Sequence, residues 1–185
     1  ALAADLFRNF SEGDGGSSNP FFANSEEAHT RNVTSLLIIT AQVIGAPINQ
    51  RLNGNAPTLS EFNDILQSND YIFARLEVLK AIAQREERIF DKIDREYKEQ
   101  YQKEYNAWIQ NGGLDFRFDA NQSARLRKLY YSHRAAENKL KIMKDTISYF
   151  SNNLFTNPHT NEVGFSFDAN INGLKAVIRR LSSSP

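Results

Sequence analysis

Apolar positions in this chain recur mostly at helical spacing. The sharpest run is Leu126, Leu129, His133, Ala136, Leu140, Met143, Ile147, Phe150 and Leu154, in alternating steps of three and four. That is a heptad seam, the mark of a helix burying one stripe against another helix. Asp119 with Gln122 three residues on has capping spacing and predicts where this helix starts. Upstream, Asp70 to Gln110 holds neither Gly nor Pro and is rich in strong helix formers. Its apolar residues keep the same period from Ile72, Leu76 and Leu79 through Phe90 to Tyr97, Tyr101, Tyr105 and Trp108. Such a helix spans about 60 Å, given a rise of about 1.5 Å per residue. Asn111-Gly112-Gly113 stops it a short loop before the seam helix. Two long helices joined this closely fold back antiparallel to bury their seams.

The remaining chain supplies shorter elements. A helix is expected from Asn24, where Glu27 completes a capping box. Leu36, Leu37, Ile38, Ile39, Val43 and Ile44 make it apolar nearly all round, hence buried, and Gly45-Ala46-Pro47 ends it. Residues 46–57 read as a polar loop. Thr58 with Glu61 opens a short helix carrying Phe62, Ile65 and Leu66, and Ser68-Asn69-Asp70 either interrupts it or caps the long helix. A last amphipathic helix near 170–181 uses Ile171, Leu174, Val177, Ile178 and Leu181. The expected fold class is therefore all-α: a long antiparallel helical hairpin, coiled-coil-like, with one or two further helices packed as a bundle and short extended segments. The Gly/Ser-rich run at 11–20 makes residues 1–23 a flexible arm, whose Leu6, Phe7 and Phe10 are expected to dock somewhere. Residues 24–182 then form a single helical domain and 183–185 a tail.

One motif occurs twice. Phe116-Arg117-Phe118-Asp119-Ala120-Asn121 and Phe165-Ser166-Phe167-Asp168-Ala169-Asn170 share Phe-x-Phe-Asp-Ala-Asn, each ahead of a helix. Alternating Phe suggests a short extended segment, and Asp suits an N-cap. A continuous helix over 120–153 holds the two copies about 50 Å apart. The 12-residue chain from Asn153 to Phe165 reaches only about 40 Å. Each copy must therefore satisfy its backbone locally or pair with another chain.

Composition narrows the function. The chain has 185 residues with 22 basic and 22 acidic side chains, a net charge of zero. That argues against a nucleic-acid binder, which needs a basic excess to neutralise phosphates. Having no cysteine excludes disulfide scaffolds, thiolate metal sites and cysteine nucleophiles. The most apolar run, Val33 to Ile48, is interrupted by polar residues and is shorter than a membrane span needs. Ala1-Leu2-Ala3 followed by Ala4 resembles the end of a signal-cleavage site, as an engineered boundary equally would, and this tilts the expected setting slightly toward extracytoplasmic, secreted or periplasmic. Sequons at Asn9, Asn32 and Asn121 occur at a frequency that chance explains.

Candidate chemistry is thin. Glu26 and His29 share a helix face as in carboxylate-bridged metal bundles, but the further ligands such a site needs are missing. Asp168-x-Asn170-x-Asn172-Gly173 matches the front of a calcium loop, yet Arg179 stands where the bidentate Glu belongs. No phosphate loop, nucleophile elbow or zinc-protease motif is present. No enzyme activity, cofactor or metal is expected. Arg179-Arg180-Leu181-Ser182 resembles a basophilic kinase site over four residues only. His133 falls on the seam, where a register-setting or satisfied core histidine is the ordinary role.

The expected contact residues are Phe116, Phe118, Phe165 and Phe167, with Tyr101, Tyr105 and Trp108 if the hairpin tip is exposed. Residues 1–69 carry three basic and seven acidic groups, whereas 111–185 carry eleven basic and six acidic. This asymmetry favours head-to-tail or antiparallel self-association, or docking on an acidic partner. The leading expectation is a non-enzymatic structural or interaction protein, an oligomeric helical-hairpin component of an extracytoplasmic or virion-like assembly. An extracytoplasmic ligand-binding or sensor bundle and a small metal-binding bundle are the alternatives.

Overall fold

Five α-helices, a 3-10 turn and one two-stranded sheet account for the regular structure of residues 20–44 and 57–183, the part of the chain that the computed structural model describes. The helices are α1 (Pro20–Ile44), α2 (Leu59–Gln67), α3 (Asn69–Gln110), α4 (Ala124–Ser151) and α5 (Asn170–Ser183). Strands β1 (Leu154–Thr156) and β2 (Val163–Phe165) lie between α4 and α5. The fold is all-α, as the periodicity predicts. The docking of Leu6, Phe7 and Phe10, the stop at Gly45-Ala46-Pro47 and most of the 46–57 loop lie outside the described residues.

Helix starts test the capping assignments. At α2 the assignment holds: the Thr58 hydroxyl accepts the Glu61 N–H at 3.2 Å. Ser68 resolves its ambiguity by capping α3, its Oγ accepting the Tyr71 N–H at 3.3 Å. Two starts need correction. α1 opens at Pro20 rather than Asn24; proline lacks the N–H that a first turn leaves unbonded anyway and carries a helical φ. α4 opens at Ala124, capped by Ser123, whose Oγ accepts the Leu126 N–H at 3.0 Å. Asp119 is used otherwise, in a turn described below.

The contacts gather in two compact units within the 24–182 span. The first takes its described residues from before Ala81 and after Lys144. In it α5 packs on α1 and α2, and α1 on α2. Leu36 and Leu37 of α1, Ile65 and Leu66 of α2, and Ile171 and Leu174 of α5 are fully buried. Arg75 and Thr40 are buried polar residues that find partners. Arg75 donates to the Thr40 hydroxyl and the Tyr71 phenol, each at 3.1 Å. The Gln67 amide donates to the Lys175 carbonyl at 3.1 Å, and Arg179 donates to the Gln67 side-chain oxygen, tying α2 to α5.

Leu154, the last expected seam residue, lies in β1 and not in α4. The helix stops at Ser151 because Asn153 turns its amide back to the Tyr149 carbonyl at 2.7 Å, satisfying an acceptor the helix end leaves open. β1 then pairs antiparallel with β2, Leu154 opposite Phe165 and Thr156 opposite Val163. The ladder extends through Ser166 N–H to the Asn153 carbonyl and Asn157 N–H to the Glu162 carbonyl, both 2.8 Å.

The second unit, Ala81–Lys144, is the hairpin of α3 and α4. Its antiparallel pairing is read from side chains that meet across it. Glu86 pairs with Lys139 and Glu87 with Lys144, each at 3.1 Å. Tyr97 meets Tyr130 and stacks on His133. Leu126, Leu140 and Met143 are buried along the seam. His133 is satisfied there: its Nε2 lies 2.8 Å from Asp94 while its ring sits between Phe90 and Tyr97. Lys98 and His133 together hold the Asp94 carboxyl below its ordinary range, Lys98 contributing most. No described helix is long and apolar enough to cross a membrane.

Candidate functional site

The end of α3 closes on itself. Gly112 adopts a φ of +80, which its missing Cβ permits, and its N–H bonds the Ile109 carbonyl at 3.0 Å. The Gly113 N–H bonds the Trp108 carbonyl at 2.8 Å. These two bonds make a Schellman closure. The Trp108 ring lies so tightly over Gly113 that any Cβ there would overlap it. The indole N–H then donates to the Leu114 carbonyl at 2.9 Å.

From Leu114 onward the loop is pinned at nearly every residue. The Tyr105 phenol donates to Asp115 at 2.7 Å, a bond that pushes its pKa up. Asp115–Arg117 form a 3-10 turn instead of the expected extended segment, because the Phe118 N–H bonds back to the Asp115 carbonyl at 3.1 Å. The Gln122 amide holds the Arg117 carbonyl at 2.8 Å. Phe118 turns inward and is buried, edge-on to Tyr101 and Tyr105 with ring centroids 5.0 and 5.4 Å away. The 3-10 turn sends its neighbour the other way. Phe116 is 79% exposed, and Leu114 in the same loop and Ile109 in the last turn of α3 are exposed at 50% and 41%. The Arg117 guanidinium lies 5.8 Å from the Phe116 ring centroid.

The second copy of the motif sits in the other unit and is built differently around the same turn. Asp119 accepts the Asn121 N–H at 2.7 Å, and Asp168 accepts the Asn170 N–H at 3.0 Å. Both are Asx turns, and the second leads straight into α5. Here both aromatic residues point inward. Phe165 stacks on Phe73 at 4.6 Å, and Phe167 lies edge-on to His29 at 4.4 Å. Of the four phenylalanines expected to make contacts, the structure leaves Phe116 largely to solvent and holds Phe118, Phe165 and Phe167 largely within the chain. Tyr101, Tyr105 and Trp108 form the support under the tip. Leu114 and Ile109 escaped the sequence reading; the signal available was an apolar residue directly after Gly112-Gly113, with no helical position to bury it.

His29 is completely buried, its Nδ1 2.7 Å from the Tyr149 phenol and its Nε2 without a hydrogen-bond partner among the described residues. Burial, aided by the nearby Lys175 charge, lowers its pKa to about 3, so it is neutral. Burial likewise pushes the Tyr149 phenol up, keeping it protonated. Glu26 is raised by burial and by Asp168. An open cleft of about 430 Å³ beside these groups is lined by Asn24, Ser25, Tyr149, Asn153 and Asp168. Among the described residues no three His, Asp or Glu side chains converge to hold a metal. Asp168 of the calcium-like stretch accepts both the backbone N–H and the side-chain amide of Asn170.

No family model, curated protein or solved structure matches this chain.

Proposed function

We propose that this protein is a non-enzymatic interaction component of a larger protein assembly, and that it engages a protein partner through the tip of its helical hairpin. The observation that carries this reading is Phe116, exposed at 79% on a loop whose backbone is pinned on both sides of it. An aromatic ring held out on a rigid support loses little freedom when it docks, which is the condition for a binding hot spot. Burying a ring of this size contributes about 2–3 kcal/mol before association costs. Leu114 and Ile109 are further exposed apolar side chains at this end of the hairpin, and Arg117 supplies a cation beside the Phe116 ring. The residues with catalytic potential support the same reading: His29 is buried and neutral, and His133 is held on the seam by Asp94.

The test compares the wild type with Phe116→Ser and with Phe116→Ser/Leu114→Ser, each immobilised and exposed to extract of the source cells. Both variants are expected to keep their helical circular dichroism and melting temperature while losing a partner that the wild type retains. Identical capture by all three proteins would overturn the proposal.

A further inference from the structure

Arg75, near the start of α3, is 7% exposed, and among the described residues it is the only buried side chain that carries a permanent charge. Taking a guanidinium out of water is costly, and interiors that do so ordinarily set a carboxylate beside it. Here the partners are neutral. One terminal nitrogen donates to the Thr40 hydroxyl and the other to the Tyr71 phenol, each at 3.1 Å. The guanidinium carbon lies 5.3 Å from the Tyr71 ring centroid. Arg75 makes no ion pair among the described residues. Thr40 stands four residues before Ile44, the last of α1, so the negative end of that helix dipole offsets a part of the charge and leaves the rest.

The bonding capacity left over is all of one kind. A guanidinium has five N–H donors, and with two in use three remain. The Thr40 hydroxyl is spent, since it accepts from Arg75 and donates to the Leu36 carbonyl at 2.6 Å. The Tyr71 phenol accepts from Arg75 and keeps its own O–H, which has no acceptor among the described residues. Access is open as well. Among the described residues the unbonded side-chain atoms sealed from solvent are His29 Nε2, Thr30 Oγ1 and Thr34 Oγ1, and Nε of Arg75 is not one of them. Donors gathered round a positive charge with no acceptor are complementary to an anion. We infer that Arg75 and Tyr71 form a binding site for an oxyanion, the carboxylate or phosphate group of a small molecule. The planar fork of Arg75 suits either group through two parallel N–H bonds. Thr40 and Tyr71 already fix its plane, so little freedom is lost on binding. With so little of the side chain open, a small group reaches it where a flat protein surface would pass over it. The site lies within the first unit and shares no residue with the hairpin tip, so the two proposals stand or fall separately.

Nuclear magnetic resonance on the full chain tests this through the Nε–H signal of Arg75, assigned through bonds to its own side chain. Sodium acetate and sodium phosphate are titrated separately, each against sodium chloride at equal ionic strength. The Arg75 signal should move and saturate with a Kd on the order of 1 mM, a scale open to ligands of four or five atoms, while other arginines stay in place. Acetate acting at the lower concentration makes the group a carboxylate, and phosphate doing so makes it a phosphate. Thermal melting supplies a second reading. The wild type should melt higher as either anion is added, by mass action on the folded state. Arg75→Met should gain nothing beyond its response to chloride, and Arg75→Lys, which keeps the charge without the fork, should raise the Kd about tenfold or more. The resonance titration needs the wild type alone, so it decides the question even if a variant fails to fold. An Arg75 signal unmoved by both anions, a shift that other arginines share, or a folded Arg75→Met protein that the anions stabilise as they do the wild type would each overturn the inference.

Discussion

The imidazole of His29 has none of its surface in water, and its protonation is therefore coupled to folding. Its folded pKa of about 3 lies below the ordinary 6.5, so the unfolded chain binds its proton first as pH falls. The neutral ring's contribution is complete above pH 6.5 and is lost progressively down to pH 3, with a ceiling of about 5 kcal/mol. Urea unfolding at pH 7, 5 and 4 should show this decline, and His29→Leu should flatten it even if less stable at neutral pH. None of this was legible in Glu26-Glu27-Ala28-His29, which reads as an exposed first turn with a metal-like pair. The start at Pro20 moves His29 to the third turn of α1, where its face meets Tyr149 and Phe167. At the tip, Trp108 is the sole tryptophan of the chain, and its emission reports this site alone. Gly113→Ala must displace the indole from the Leu114 carbonyl, and a red-shifted emission with unchanged far-ultraviolet dichroism is expected.

At the scale of elements, what was legible is what periodicity encodes. The seam from Leu126 to Phe150 and the long helix ahead of it follow from spacing, because burying one stripe is the main force that orders them. Leu140 is buried on that seam, so Leu140→Ala should cost about 2–5 kcal/mol in chemical denaturation. Helix boundaries were less legible, since several residues near each end were chemically able to cap. Asp119 and Ser123 are both good N-caps; the choice fell to Ser123 because the tip needs Asp119 for its Asx turn. Ser123→Ala should cost about 1 kcal/mol of α4 stability, measured by thermal melting. The small sheet was legible only as alternating Phe. Its partner strand, Leu154–Thr156, was hidden by the heptad register that Leu154 continues.

Across the whole molecule, the two compact units have unequal interiors. The first gathers buried side chains from α1, α2 and α5, with Phe150 completely enclosed. The hairpin unit buries few, among them Leu126, Leu140, Met143 and Phe118, and relies on a row of stacked rings beside them. Local opening follows the density of buried apolar contacts. Amides of α3 between residues 85 and 105 should therefore exchange with deuterium well before those around Leu36 and Ile65, as mass spectrometry of the exchanged chain would show. The division itself was not legible, because the apolar period of α3 continues unbroken through Lys80 and Ala81. The candidate site was legible by half. Its aromatic support was visible as a stripe, whereas the outward turn of Phe116 depends on three-residue bonding that no spacing announces.

The seam of the hairpin repeats every seven residues and its tip is closed by bonds of its own, so length is a free variable in this architecture. Seven residues inserted into α3 and seven opposite them in α4 would restore every facing pair and carry Phe116 outward by about 10 Å. Insertion into one helix alone would put each seam residue opposite the wrong neighbour and part Asp94 from His133. The hairpin is in this sense a ruler graduated in heptads. Evolution or design can reset the length of the hairpin in fixed steps, leaving the chemistry at the tip as it stands.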